Sequence, residues 1–195
     1  MHMLIGILVF SKTRAKAIEK ARDILNDLTK DDKPFDYGTL FTPGENSPVS
    51  RASRYESKKS AMLVDTLEGR ELTEKLLGLT KQVLFENLEK IRNGLLVLTS
   101  EDIWNGISKT ERSLGLESKE NHIEYEPTMF RHCCHEVGQY KGSGIFLYDQ
   151  DGEGIRDQNH YDNVMAKWES LYKYGESENP YKDLDLYIIP ADVHY

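Results

Sequence analysis

LIGILVF, residues Leu4 to Phe10, is the segment from which the architecture can be inferred. It is a short, continuous apolar run, which is typical of a β-strand buried on both faces. Ser11 follows as a candidate helix N-cap. Apolar residues then recur at helical spacing, with charged residues on the opposite side. These apolar positions are Ala17, Ile18, Ala21, Ile24, Leu25 and Leu28. The sequence therefore predicts a strand followed directly by an amphipathic helix.

Three further segments have the character of strands. FDYGTLF, residues 35–41, follows the first helix. SGIFLY, residues 143–148, precedes a helix whose apolar face runs from Tyr161 to Tyr172, and DLYIIPADVH, residues 185–194, closes the series. Because Pro190 has no amide donor, we expect the end of the last strand to lie at a sheet edge or to leave the sheet.

A helical block separates the first two strands from the last two. A leucine stripe predicts a helix from about residue 68 to residue 92, which Asn93 or Gly94 would end. A short capped helix is expected at Ser100. Pro127 suits the first turn of another helix, where a missing N–H has no cost.

This order of elements predicts an α+β fold with a ferredoxin-like β-α-β…β-α-β arrangement. One four-stranded sheet would carry helices on one face, with the helical block inserted between the two halves. We expect a single domain over residues 1–195. Its first half would be residues 3–41, the helical insertion residues 61–142 and the second half residues 143–195. A doubly wound fold would need more strands than the sequence contains.

Composition excludes several classes of protein. Charged residues make up 30% of the 195 residues, but aromatic residues at 10% argue against disorder. A net charge of −8 gives no global attraction for phosphates, so generic duplex nucleic-acid binding is not expected. No run approaches the roughly 20 apolar residues of a membrane span, and the first residues lack the basic region of a signal peptide. The two adjacent cysteines favour a reducing cytoplasm.

The segment FRHCCHE, residues 130–136, concentrates metal-binding and redox residue types. On a helix, Cys133 and Cys134 fall in the apolar stripe, so we expect both cysteines in the core. His132 and Glu136 lie four residues apart on the polar face, where they could act as a catalytic acid or base. Because the cysteines and histidines point apart, a Cys₂His₂ zinc site is excluded. A solvated helix face is the alternative interpretation.

An acidic loop, DQDGEGIRDQNH, follows the third strand at residues 149–160. It partly matches the EF-hand calcium loop, since acidic residues stand at positions 1, 3, 5 and 9 and a glycine at position 6. His160 stands where that loop needs a bidentate glutamate, and a strand leads in where a helix is required. We therefore expect either a tight glycine turn with solvated acids or a divalent-cation site. The candidate ligands are Asp149, Asp151, Glu153 and Asp157, with His160 as a catalytic group.

Residues of the last strand could complete that site. If the third strand is central, its carboxyl end would form a crevice with the helix that follows. Asp192 and His194 share one face of the last strand by alternation, and they would converge there with Asp149, Asp151 and His160. Such a set would support metal-assisted hydrolysis of a phosphate ester.

The only cluster of positive charge lies in SRASRYESKKS, residues 50–60. Arginine forks and serine hydroxyls suit phosphate groups, and a tyrosine ring can stack on a base. A flexible charged surface loop is the alternative. Neither a Walker-type motif nor GxGxxG is present, which disfavours a nucleoside-triphosphate or dinucleotide enzyme. The candidate ligand-binding residues are Arg51, Arg54, Tyr55, Lys58 and Lys59.

Three functions fit these patterns. The first is a non-catalytic cytosolic binding protein for a small anionic ligand, such as a nucleotide or short oligonucleotide, over which the basic segment would close. The second is a hydrolase of phosphate esters that depends on a divalent cation. The third is a protein–protein interaction module whose helical block docks a partner. Spacing identifies no acid–base pair, which favours binding over catalysis.

Overall fold

The computed structural model describes residues 2–31, 33–41, 60–106, 126–138, 144–173, 180–181 and 183–194. Within these ranges it contains five strands and five helices, which confirms the predicted α+β class. The strands are β1 (His2–Ser11), β2 (Tyr37–Leu40), β3 (Met62–Leu63), β4 (Leu147–Tyr148) and β5 (Asp185–His194). The helices are α1 (Arg14–Leu28), α2 (Leu67–Val97), α3 (Ser100–Asn105), α4 (Glu126–Gly138) and α5 (Gln158–Lys173). Among these helices, none combines the length and apolarity that a bilayer crossing requires.

The chain divides into two compact units. The first comprises residues 1–81 and 140–195, and it holds the sheet, α1, the first turns of α2, and α5. The second, residues 82–139, holds the rest of α2 with α3 and α4. The helical insertion predicted at residues 61–142 is therefore wider than the second unit. A single domain over residues 1–195 stays a prediction.

Two long strands form the centre of the sheet. β1 and β5 pair antiparallel over ten residues each, from His2 opposite His194 to Ser11 opposite Asp185. β4 pairs in parallel with the free side of β1, and both β2 and β3 pair antiparallel with the other side of β5. The strand order is thus β2-β5-β1-β4. β3 pairs with the same side of β5 as β2 does, at a different position along β5.

Helices cover both faces of this sheet, which explains the unbroken apolar run in β1. Odd-numbered residues of β1 and β5 pack with α1, and even-numbered residues pack with α2 and α5. The prediction of a strand buried on both faces is therefore confirmed. Gly6 lies on the second face, where an added Cβ would be 2.6 Å from Cδ1 of Leu76 in α2. Glycine at this position therefore allows α2 to approach the sheet closely.

The four-stranded ferredoxin-like arrangement is not confirmed. The sheet has a fifth strand, and helices lie on both faces. The third predicted strand, residues 143–148, is reduced to Leu147 and Tyr148 at an edge, parallel to β1. One feature of the expected arrangement is present, because β1 and β2 run parallel with β5 between them.

Pro190 lies in the middle of a central strand, so the prediction of an edge position is wrong. The Gly6 amide donates to the Phe146 carbonyl at 2.8 Å, on the β4 side. Because Gly6 pairs with Pro190, the backbone of Pro190 faces the opposite neighbour. There its carbonyl accepts a hydrogen bond from the amide of Phe41 at 3.1 Å.

Pro190, which has no amide hydrogen, lies opposite a break in the edge strand that pairs with β5. Leu40 at the end of β2 pairs with Ala191, and Met62 at the start of β3 pairs with Ile188. β2 and β3 are therefore two pieces of one interrupted edge strand, and residues 42–59 are inserted at the interruption. A proline is tolerated here because the ladder on this side of β5 stops at Leu40 and resumes at Met62, so Pro190 lies opposite the break.

Two predicted helix boundaries are wrong. The N-cap of α1 is Thr13, whose Oγ1 accepts from the Lys16 amide at 3.3 Å, whereas Ser11 ends β1. Similarly, α2 continues past Gly94 to Val97. Within the second unit, Gly94 provides space for the ring of Phe130, which an added Cβ would overlap.

Candidate functional site

Three rings form a row across three neighbouring strands at one end of the sheet. His194 of β5 pairs directly with His2 of β1 and with Tyr37 of β2, so all three side chains lie on one face. Asp192, two residues earlier in β5, projects on the same face, and Asp36 precedes β2. We call these five residues the histidine–tyrosine cluster.

The rings of this cluster form a packed platform. Tyr37 and His194 are stacked, with ring centroids 4.9 Å apart and an interplanar angle of 5°. His2 meets both rings edge-on, at 5.9 Å from Tyr37 and 5.2 Å from His194. Tyr37 is 45% exposed, so the platform is accessible to a ligand.

Carboxylates orient both imidazoles. Asp192 Oδ1 lies 3.2 Å from His2 Nδ1, and the Asp192 side chain is buried. His2 Nε2 then faces the Tyr37 hydroxyl at 3.4 Å. On the outer side, His194 Nδ1 lies 3.1 Å from Asp36 Oδ2. The cluster thus combines an exposed tyrosine ring with two imidazoles that are each held by a carboxylate, and its ring surface is suited to stacking on a planar molecule.

The acidic loop is a tight turn built around Asp149. Its Oδ1 accepts hydrogen bonds from the amides of Asp151 and Glu153, both at 2.9 Å. Its Oδ2 lies 3.0 Å from Nε2 of His160. Gly152 has a φ of +75°, a conformation that favours glycine. These contacts match the tight glycine turn given above as one interpretation of the loop.

This turn does not direct the proposed metal ligands toward one common point. Asp157 Oδ1 accepts from the His160 amide at 2.7 Å and so caps α5, while Asp151 and Glu153 are exposed. Within the described part of the chain, no group of three His, Cys, Asp or Glu residues could hold a metal ion. A divalent-cation site at Asp149, Asp151, Glu153 and Asp157 stays a prediction.

The expected convergence of the last strand with the acidic loop is wrong. Tyr148 pairs with Ile7, so Asp149 lies level with Leu8, whereas Asp192 pairs with Leu4. Four residues of strand separate the two levels by about 13 Å. The histidine–tyrosine cluster and the acidic loop are therefore separate places on the first unit.

The second unit carries the residues of FRHCCHE on α4. Cys133 is buried, and burial raises the pKa of its thiol, but Cys134 is exposed. The prediction that both cysteines are in the core is therefore wrong for Cys134, because neighbouring helix positions point about 100° apart. His132 is exposed and Glu136 is half-buried. His132 and Glu136 belong to the second unit, and His160 belongs to the first. The acid–base roles of these three residues stay predictions.

The basic segment falls outside the described residues, including Arg51, Arg54, Tyr55, Lys58 and Lys59. The described chain stops at Phe41 and resumes at Ser60, on either side of the interruption in the outer edge strand.

Sequence reasoning missed His2, Tyr37 and Asp36 as site residues. The alternation of Asp192 and His194 was a usable signal, since it placed both on one face. Their partners come from strands that are far apart in the chain, and only the register of β1, β2 and β5 brings them together.

Comparison with known proteins gives a family without a stated activity. A family model described as a domain of unknown function (DUF7995) matches residues 1–111 and residues 105–195, which together span the chain. No curated protein and no solved structure gives a significant match.

Proposed function

The chain belongs to the family DUF7995, and we propose that it is a non-catalytic binding protein for a small anionic ligand. A nucleotide or a short oligonucleotide is the ligand class that we favour. We place this activity in the reducing cytoplasm, since the described cysteines, Cys133 and Cys134, form no disulfide.

The histidine–tyrosine cluster is the observation that carries the proposal. A base can stack on the ring platform of Tyr37 and His194, which tolerates any base because every base has a π-face. The Tyr37 hydroxyl can turn from His2 Nε2 and donate to a phosphate oxygen instead. Asp192 and Asp36 hold the imidazoles in place, so little side-chain freedom would be lost on binding.

The basic segment supports the same ligand from the sequence. Four positive side chains and Tyr55 occur between residues 51 and 59 of a chain with a net charge of −8. The segment is attached at Phe41, which is four residues from Tyr37 along the same edge strand. The positive charge of this segment would attract phosphate groups.

Calorimetry with adenosine monophosphate, in buffer containing EDTA, tests the proposal. Tyr37→Ala removes the stacking ring and is expected to weaken binding by about 1–3 kcal/mol, whereas Tyr37→Phe keeps the ring and should lose less. Arg51→Ala with Arg54→Ala should also weaken binding. Lys16→Ala with Lys75→Ala, two exposed lysines of α1 and α2, is the matched control and should bind like the parent.

A nucleotide affinity that Tyr37→Ala and the arginine variants leave unchanged would contradict the proposal.

A metal-dependent phosphate-ester hydrolase is the second candidate. The contact between Asp149 and His160 at 3.0 Å favours it, because a carboxylate commonly orients a catalytic imidazole. Turnover of a phosphodiester panel that is lost with EDTA and with Asp149→Asn would support this function over simple binding.

Protein docking is the third candidate, and exposed apolar residues of the second unit favour it. These residues are Phe85, Leu95, Leu96, Val97 and Trp104. Large exposed apolar side chains are typical of interaction sites when they form one patch. A defined partner that binds the parent but not a Leu96→Ser, Trp104→Ser variant would support docking.

A further inference from the structure

A cleft of about 430 Å³ lies between the C-terminal part of α1 and the acidic loop, within the first unit. The helix contributes Ile24, Asp27 and Leu28, and the loop contributes residues 150–153. Lys30 and Lys33, in the segment after α1, complete the rim. The volume is within the range of about 300–1,000 Å³ that is usual for small-molecule sites.

Hydrogen bonds to the Asp149 carboxylate fix the loop that forms one side of this cleft. Asp149 fixes the amides of Asp151 and Glu153, and His160 holds the second oxygen of the same carboxylate. A ligand would therefore meet a wall that needs little ordering on binding, which reduces the entropic cost of association.

Among the described residues, not every charged side chain that lines the cleft forms an ion pair with another one. Lys30 forms an ion pair with Asp27, and its hydrogen bond and charge lower the pKa of Asp27. The Lys33 ammonium also lowers the pKa of Asp27 through its charge, and the loop side carries the exposed carboxylates of Asp151 and Glu153. The cleft thus presents lysine ammonium groups on the α1 side and the carboxylates of Asp151 and Glu153 on the loop side, and the apolar residues Ile24 and Leu28 also line it.

We propose that this cleft binds a small zwitterion, namely an α-amino acid or dipeptide with an apolar side chain. The ligand carboxylate would pair with Lys33 and its ammonium with Asp151, while the apolar side chain would contact Ile24 and Leu28. A purely anionic ligand would leave Asp151 without a partner, and a purely cationic one would do the same to Lys33. This assignment is independent of nucleotide binding at the histidine–tyrosine cluster.

Ligand-observed NMR and calorimetry with L-leucine and L-leucyl-L-leucine, in buffer containing EDTA, test the proposal. Saturable binding of at least one of these two probes is expected. 4-Methylpentanoate and 3-methylbutylamine have similar apolar groups but a single charge each, so both should bind at least about tenfold more weakly.

Variants locate the binding. Lys33→Gln and Asp151→Asn should each weaken the affinity by about tenfold. Lys16→Gln and Asp23→Asn, exposed positions of α1 that do not line the cleft, are the controls and should have no effect. The proposal is overturned if neither probe binds, if the cleft variants bind like the parent, or if a singly charged analogue binds equally well.

Discussion

The phenol of Tyr148 is buried on the sheet face that packs with α1, and burial raises its pKa. Its ring meets the ring of Phe35 edge-on, with centroids 5.8 Å apart. Among the described residues its hydroxyl has no hydrogen-bond partner. A buried hydroxyl without a partner loses its hydration without compensation, so Tyr148 lowers the stability of the fold.

Tyr148→Phe should therefore raise the free energy of unfolding by about 1 kcal/mol at pH 7. The folded state keeps the phenol neutral, because its pKa is raised above the ordinary value. As pH rises above about 10, the unfolded state ionises first and the parent loses stability by up to about 1.4 kcal/mol per pH unit from this residue. Urea unfolding at pH 7, 10 and 11 should show the advantage of the variant increasing. An advantage that stays constant would contradict the raised pKa.

The two cysteines differ in reactivity for the same physical reason. The thiolate is the reactive form, and burial raises the pKa of Cys133, whereas Cys134 is exposed. A chromogenic disulfide reagent at pH 8 should react quickly with one thiol in the native protein. Cys134→Ser should abolish this fast phase and Cys133→Ser should leave it. Fast labelling that survives Cys134→Ser would show that the assigned burial is wrong.

Helices and strands were predictable where they are long. β1, α1 and β5 lie close to their predicted bounds, because each has a sustained apolar pattern. β3 was missed, since two residues carry no periodicity. The end of α2 was misplaced because Gly94 resembles a C-terminal stop, and its contact with Phe130 is not visible in the sequence.

The two glycines Gly78 and Gly94 of α2 should respond in opposite ways to alanine. Gly78 has no atom within 4 Å of an added Cβ, so Gly78→Ala should stabilise the protein by about 0.5–1 kcal/mol through helix propensity. Gly94→Ala would force its Cβ into the Phe130 ring, so a loss of about 1–3 kcal/mol is expected.

Chemical denaturation of both variants measures the difference. Phe130→Leu in the Gly94→Ala background should recover part of the loss, since it removes the overlapping ring atoms. Equal stabilisation by both alanines would show that Phe130 does not pack on Gly94.

Sheet order and the site could not be predicted, because both depend on pairing between distant parts of the chain. Alternation placed Asp192 and His194 on one face, but no local pattern shows that β1 and β2 flank β5. The helical block was located, but no local pattern shows which sheet face the first turns of α2 cover.

Residues 43–58 should be dispensable for folding. Phe41 bonds to Pro190 and Met62 pairs with Ile188, so the chain returns about 7 Å farther along the same edge. A four-residue Gly-Ser linker can span this gap, and the melting temperature should stay within about 5 °C of the parent. Nucleotide affinity should fall, because the linker removes Arg51, Arg54, Tyr55 and Lys58. A linker variant that fails to fold would show that the segment contributes to the core.

The break opposite Pro190 divides the border strand next to β5 into two short pieces. The outer edge consists of four-residue β2 and two-residue β3, and the opposite edge, β4, has two residues. Growth of a fibril by strand addition needs a continuous row of unpaired backbone groups. On the β5 side the two border pieces are therefore too short to recruit another molecule, which shields β5, one of the two long apolar strands of the sheet.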